Sequence, residues 1–191
     1  MEKVSLNILI VDDSSEDREK IQRLLKGNSF YVYNLLHADT GEKGLSVCRS
    51  MKTDCILLDY RLPDMDGLEF MDELGDIKTS IILLTGKGSE KVAVKAMKAG
   101  ASDYLVKDDL GTDLLARSIQ YAIERRQTED ELYQYRQHLE ELVKERTAEL
   151  KKTNKHLRQE IKERKLSEAT LQESEKKYRR LFDNVPVGLY R

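Results

Sequence analysis

Five side chains of this 191-residue sequence have types and spacings that could do chemistry together: the adjacent carboxylates Asp12-Asp13, the carboxylate Asp59, the hydroxyl of Thr85 and the amine of Lys107. Each stands at the end of an apolar run: Ile8-Leu9-Ile10-Val11, Ile56-Leu57-Leu58, Ile81-Ile82-Leu83-Leu84 and Tyr104-Leu105-Val106. Three carboxylates brought together repel one another unless a cation neutralises them. A few hard oxygen ligands, completed by water and a phosphate, describe Mg²⁺ better than zinc or calcium. With that charge offset, an anionic Asp59 could attack phosphorus in line and become an aspartyl phosphate. Lys107 would pair with the phosphate as a point charge, and the Thr85 hydroxyl would hydrogen-bond one of its oxygens.

Each residue also has a plain structural reading. Asp59 could cap a turn, Asp12-Asp13 a helix entry, Thr85 could be a β-branched strand end and Lys107 a solvated charge. Taken singly these readings are the commoner ones. They lose weight when four strands of one sheet end in Asp-Asp, Asp, Thr and Lys.

The elements that must position these groups alternate along the chain. Apolar runs predict strands over 6–11, 30–36, 55–59, 80–85 and 101–106, the last ending at Lys107. Between them lie helical patterns over 16–26, with Ser14 or Ser15 as N-cap, through 51 after Thr40-Gly41-Glu42, from about Asp66-Gly67, and over 89–98. Gly27-Asn28 closes the first helix, Gly86-Lys87-Gly88 breaks the fourth strand, and Gly100 stands where a C-cap would. A further helix starts at Thr112. Repeated strand–helix alternation predicts an α/β fold with a five-stranded parallel, doubly wound sheet, because each right-handed crossover needs a helix. The flavodoxin-like order 2-1-3-4-5 puts its switch point between strands 1 and 3, whose carboxyl ends carry Asp12-Asp13 and Asp59.

Composition narrows the classes. A formal net charge of -2 gives no overall attraction to nucleic acid, and 39% hydrophobic against 36% charged residues is polar for one compact globule, so an elongated, solvated segment is expected. No run reaches the roughly 18 apolar residues of a membrane span, and Met1-Glu2-Lys3-Val4-Ser5 lacks a secretory core, which leads to a cytoplasmic expectation without membrane insertion. Cys48 and Cys55 have no metal-ligand spacing and read as small apolar packing residues.

Residues 5–125 resemble the receiver domain of response regulators in two-component signalling. The resemblance rests on Asp12-Asp13, on Leu58-Asp59-Tyr60-Arg61-Leu62-Pro63-Asp64-Met65-Asp66-Gly67, on Thr85, on Ala99-Gly100-Ala101 and on Asp103-Tyr104-Leu105-Val106-Lys107. It implies that a histidine kinase or phosphotransfer protein donates phosphate to Asp59. It further implies Mg²⁺ held by Asp12 or Asp13, by Asp59 and by the main-chain carbonyl of Arg61. Phosphate would then draw Thr85 inwards with Tyr104 following, changing the face built by the fourth helix, fifth strand and fifth helix. Two positions depart from the family pattern: Asp108 follows Lys107 where proline is usual, and Gly86 follows Thr85 where alanine is frequent.

No Gly or Pro occurs between Thr112 and Val185, which permits one long helix. Leu132, Tyr135, Leu139 and Leu142 follow the spacing of a coiled-coil seam, continued imperfectly by Leu150, Leu157, Ile161, Leu171 and Tyr178 with a phase slip near Arg146. A seam this sparse cannot bury itself within one chain, so a homodimer through a parallel coiled coil is expected, extending roughly 75 Å over some fifty residues. The competing expectation is a charged single helix or a segment disordered in isolation. His138 and His156 lack the flanking pattern of a kinase phosphoacceptor. Residues 174–191 resemble the opening of a PAS sensory domain.

The expected organisation is a receiver over 1–125, a helical linker over 126–177 and the start of a PAS domain over 178–191, with the output module beyond Arg191. That output could be a kinase, a cyclase or another module, and nothing here would be an enzyme apart from phosphoryl gain and loss at Asp59. The alternative from another class is a pseudo-receiver, a docking and dimerisation module that accepts no phosphate. A DNA-binding role lacks a helix-turn-helix pattern.

Overall fold

The computed structural model describes residues 5–26, 31–75, 77–86 and 90–183. The predicted helix stop at Gly27-Asn28, the strand start at Phe30, the Lys87-Gly88 break, the helix start at Ser89 and the last eight residues, 184–191, lie outside them. The chain divides into two units, Met1–Leu132 and Tyr133–Arg191.

The first unit is an alternating series: β1 (Ser5–Val11), α1 (Ser15–Lys26), β2 (Val32–Ala38), α2 (Gly41–Ser50), β3 (Cys55–Asp59), α3 (Gly67–Leu74), β4 (Ser80–Thr85), α4 (Glu90–Lys98), β5 (Asp103–Val106), a single 3₁₀ turn (Lys107–Asp109) and the start of α5 (Thr112–Asp183). All pairings are parallel and the sheet order is β2-β1-β3-β4-β5, the doubly wound order expected from the alternation.

Strand periodicity sorts the core into two layers, because successive side chains point to opposite faces. Ile8, Ile10, Leu57, Ile82 and Leu84 pack with Ile21 and Leu25 of α1 and with Leu115 and Ile119 of α5. Leu9, Val11, Ile56, Leu58 and Leu83 pack with Leu45 of α2, Phe70 and Met71 of α3 and Ala96 of α4. The central strand β3 is buried along its whole length, which is why Ile56-Leu57-Leu58 is apolar without alternation. Each of the Val, Leu, Ile, Phe and Met side chains removed from water contributes about 1.5–3 kcal/mol.

Local chemistry fixes the helix ends. Ser14 caps α1, its Oγ accepting from the Asp17 N–H at 3.2 Å. Asp66 and Glu69 form a capping box at α3. Gly100, at φ +100°, closes α4 in a Schellman motif, with Ala101 N–H donating to the Ala96 carbonyl and Gly100 N–H to that of Met97.

Two boundaries differ from the sequence expectation by two residues. β2 runs to Ala38 rather than Leu36, because the parallel ladder to β1 continues to the Val11–Ala38 pair and an edge strand tolerates the exposed His37. β5 begins at Asp103, two residues late, since Ala101 and Ser102 still serve the α4 cap and the turn onto the sheet. Cys48 and Cys55 are free and buried, and burial pushes both thiols up from their ordinary value.

In the second unit, residues Tyr133 to Arg180 are helical and solvent-facing. Tyr135, Leu139, Leu142, Leu150, Leu157, Ile161, Leu171 and Tyr178 are all exposed, Leu139 at 52%. At 3.6 residues per turn these positions and Leu132 fall within an arc of about 100° on the helix. No helix among the described residues is long and apolar enough to cross a membrane.

Candidate functional site

β1 and β3 are neighbours in register, Val11 beside Leu58, so the residues that follow emerge together at the point where the crossovers diverge. One carboxylate oxygen from each of Asp12, Asp13 and Asp59 lies within 4.8 Å of the others; Asp12 and Asp59 are buried and Asp13 is exposed. β5 ends at Val106, paired with Thr85 at the end of β4, so Lys107 enters from the other side of the site.

Lys107 Nζ lies 2.7 Å from Asp12 Oδ2, 2.9 Å from Asp59 Oδ2 and 2.9 Å from Asp17 Oδ2. Its side chain is 16% exposed. Burial acts to lower the Lys107 pKa, but contacts with Asp12, Asp17 and Asp59 outweigh it and hold the ammonium above its ordinary value. Asp12 moves the other way: burial raises its carboxyl above the ordinary value, opposed by Lys107 and the Ser14 N–H, with Asp59 adding repulsion. Asp12 Oδ1 accepts from Ser14 N–H at 2.9 Å. Oδ2 has the Lys107 ammonium at 2.7 Å as its ion-pair partner. Arg18 Nη1 donates to the Asp12 carbonyl.

The loop after β3 is folded to keep Asp59 in place. Tyr60 N–H donates to the Leu84 carbonyl at 2.9 Å, Gly67 N–H to that of Tyr60 at 2.8 Å, and Arg61 bridges to Asp66. Gly67 must lack a side chain here, because a Cβ would lie 2.7 Å from Leu83 Cδ1 and 3.2 Å from Tyr60 Cα. Asp64 reaches across to α2, accepting from the Gly41 and Glu42 N–H groups at 2.9 Å each. Burial acts to raise the Asp64 carboxyl, yet the N–H groups of Glu42 and Gly41 hold it below its ordinary value.

Thr85 is buried with its hydroxyl donating to the Gly86 carbonyl at 3.2 Å. Tyr104 is half-buried on β5, beside Leu83 and packed against the layer that holds α3 and α4. Asp12, Asp13, Asp59 and Lys107 therefore meet, Thr85 ends the adjacent strand, and Arg61 lies two residues past Asp59. Sequence reasoning overlooked Asp17, Lys20 and Arg18, and gave Asp64, quoted within the motif after β3, no role of its own. The first two lie 90 and 87 residues from Lys107, and no local signal marks them.

The donor set suits a small hard cation: three carboxylates, all oxygen, with one oxygen from each within 4.8 Å of the others. With that cation bound, the charge of an incoming phosphoryl group would be offset.

The family described as response regulator receiver domain matches residues 8–120. The cell cycle response regulator CtrA of Brucella ovis is 36% identical over 123 residues, covering 63% of this chain and 51% of that protein. The chain thus spans about half the length of the curated relatives it matches. Among solved structures, a response regulator receiver domain protein from Clostridium thermocellum aligns with a TM-score of 0.57 at 29% identity, covering 64% of this chain and 98% of that one. A CheY-like receiver domain protein from Methanospirillum hungatei JF-1 aligns with a TM-score of 0.56 at 25% identity, covering 65% and 98%.

Proposed function

The chain belongs to the response regulator receiver family of two-component signalling, and from that premise we propose that Asp59 is a working phosphoacceptor. The observation that carries this reading is the Lys107 ammonium held between the buried carboxylates of Asp59 and Asp12, at 2.9 and 2.7 Å. A structural core has no use for two desolvated carboxylates sharing one amine, since apolar residues of similar size would cost less.

In the proposed step an Asp59 carboxylate oxygen attacks the phosphorus of a phosphohistidine on a histidine kinase or phosphotransfer protein. The O–P bond forms, the P–N bond breaks, and the imidazole leaves with the electron pair. Asp12, Asp13 and Asp59, with the Arg61 carbonyl, would hold Mg²⁺. Lys107 would transfer its charge from Asp59 to a phosphoryl oxygen, and the Thr85 hydroxyl would turn from the Gly86 carbonyl to another. Tyr104 follows Thr85 as the switch. The Lys107 and Thr85 moves each replace an existing contact with one to a more highly charged acceptor.

The relay is proposed to run through α5, with a receiver over 1–125, a linker over 126–177 and the start of a PAS region over 178–191. The exposed apolar stripe supports a homodimer: aligned within one narrow arc, it matches a second copy of itself in parallel. Phosphorylation would alter helix crossing or register in that dimer, its stutters providing the bistable element. Cysteines placed singly from 132 to 161 test this; cross-linking patterns that ignore a phosphoryl mimic would rule transmission through α5 out.

Intact mass after incubation with Mg²⁺ and a small-molecule phosphodonor tests the chemistry. We expect one added phosphoryl group that disappears with Asp59→Asn or with chelator. No adduct under conditions that label a control receiver would instead identify a pseudo-receiver whose work is docking and dimerisation.

A further inference from the structure

Lys107 is followed by Asp108, so no proline ring restrains the segment that carries the amine. Two side chains of α1 hold that residue instead. Lys20 Nζ donates to the Lys107 main-chain carbonyl at 2.8 Å. Asp17 Oδ2 accepts from Lys107 Nζ at 2.9 Å, as close as Asp59 Oδ2. Asp17 and Lys20 stand three apart, neighbours on one helix face, so one rigid surface grips Lys107 at its backbone and at its tip. That surface is itself tied to the end of β1, through Ser14 on Asp12 Oδ1 and Arg18 on the Asp12 carbonyl.

We infer that Asp17 and Lys20 form a two-point clamp on Lys107, which sets where its ammonium stands and draws part of its charge away from Asp12 and Asp59. The inference rests on the reading of Asp59 as phosphoacceptor and names positioning residues for it. An ammonium has three hydrogens, and here three carboxylates surround it. Without Asp17 the amine would lean wholly on Asp12 and Asp59, covering the oxygens a divalent cation needs. Asp17 is the member of the trio most open to water, its side chain 36% exposed against 0% for Asp12 and 10% for Asp59. Its hold is therefore the weakest of the three, enough to steer the amine yet loose enough to let it pass from Asp59 to an incoming phosphoryl oxygen. Lys20 keeps the Lys107 backbone fixed while the tip changes partner.

The test reads the amine directly, in the full chain with ¹⁵N-labelled lysine, the Lys107 Nζ signal being identified by its loss in Lys107→Arg. Asp17→Asn is expected to speed exchange of the ammonium hydrogens with water. It should also raise the Mg²⁺ concentration that half-shifts the signal by roughly fivefold, the size of a partly exposed ion pair. Asp17→Glu is expected to restore both to near the native values, and Lys20→Met to broaden the signal with a smaller change in the Mg²⁺ midpoint. Unchanged exchange and midpoint in Asp17→Asn would overturn the clamp. So would a changed signal that Asp17→Glu fails to rescue, which marks a packing effect. A native Lys107 signal unmoved by Mg²⁺ would count against the phosphoacceptor reading, while the exchange comparison among variants still decides the clamp.

Discussion

Replacing Lys107 with methionine should expose how much of the site's geometry rests on one amine. The change keeps the length of the side chain and removes the charge that Asp12 Oδ2, Asp59 Oδ2 and Asp17 Oδ2 share at 2.7–2.9 Å. Breaking a buried ion pair by removing one partner costs about 3–5 kcal/mol. Lys107 keeps 16% exposure and Asp17 is open to water, so a discount to about 2–3 kcal/mol is appropriate. For a unit of this size that is a fall of roughly 10 °C in the unfolding midpoint, in chelator at pH 7.

The sign of the pH dependence follows from Asp12. Its folded-state carboxyl already lies above the ordinary value of 3.8 because of burial, and losing Lys107 raises it further. A raised carboxyl contributes stability that is full below its unfolded value and lost as pH rises through its folded one. The Lys107→Met penalty should therefore shrink as pH falls from 7 into the carboxylate range, where Asp12 takes a proton and needs no counter-charge. An Asp12→Asn background should remove at least half of the penalty at pH 7, since the amide keeps the Ser14 contact without the charge. Urea unfolding followed by tyrosine circular dichroism measures all four members of this cycle. A penalty at pH 7 that is unchanged by Asp12→Asn would refute the shared-charge argument.

Gly67→Ala should destabilise the first unit by about 1–3 kcal/mol, as overpacking does, and slow phosphoryl uptake, because the methyl would press on Leu83 and the Tyr60 backbone next to Asp59; a thermal melt with the intact-mass assay reads both. Asp64→Ala should cost about 1 kcal/mol by leaving the Gly41 and Glu42 N–H groups of α2 without their acceptor while Thr40 still caps Lys43 N–H, with loss of protection from hydrogen exchange at Gly41 and Glu42. Lowering pH through the depressed Asp64 carboxyl should produce the same loss in the native chain, because stability from a lowered carboxyl is present above its unfolded value and lost as it takes its proton.

The sequence by itself determined the parallel sheet and the ends of its strands. Apolar runs such as Ile56-Leu57-Leu58 need burial on both faces, and strand–helix alternation leaves few orders in which parallel strands can lie. Once the order was set, Asp12, Asp13, Asp59, Thr85 and Lys107 had to share one edge, because each directly follows or ends a strand. The long helix was legible too, since a stretch without Gly or Pro has nothing to stop it. Edge strand β2 was misplaced by two residues because its ladder to β1, and not its own hydrophobicity, decides where it ends. The roles of Asp17, Lys20 and Asp64 became visible only in the folded chain. Each acts across a gap, α1 to the turn after β5 and the loop after β3 to α2, and a contact between residues 23 to 90 apart leaves no periodic trace in either segment. Sequence pattern records what a residue does for its own element, whereas tertiary structure decides what it does for another.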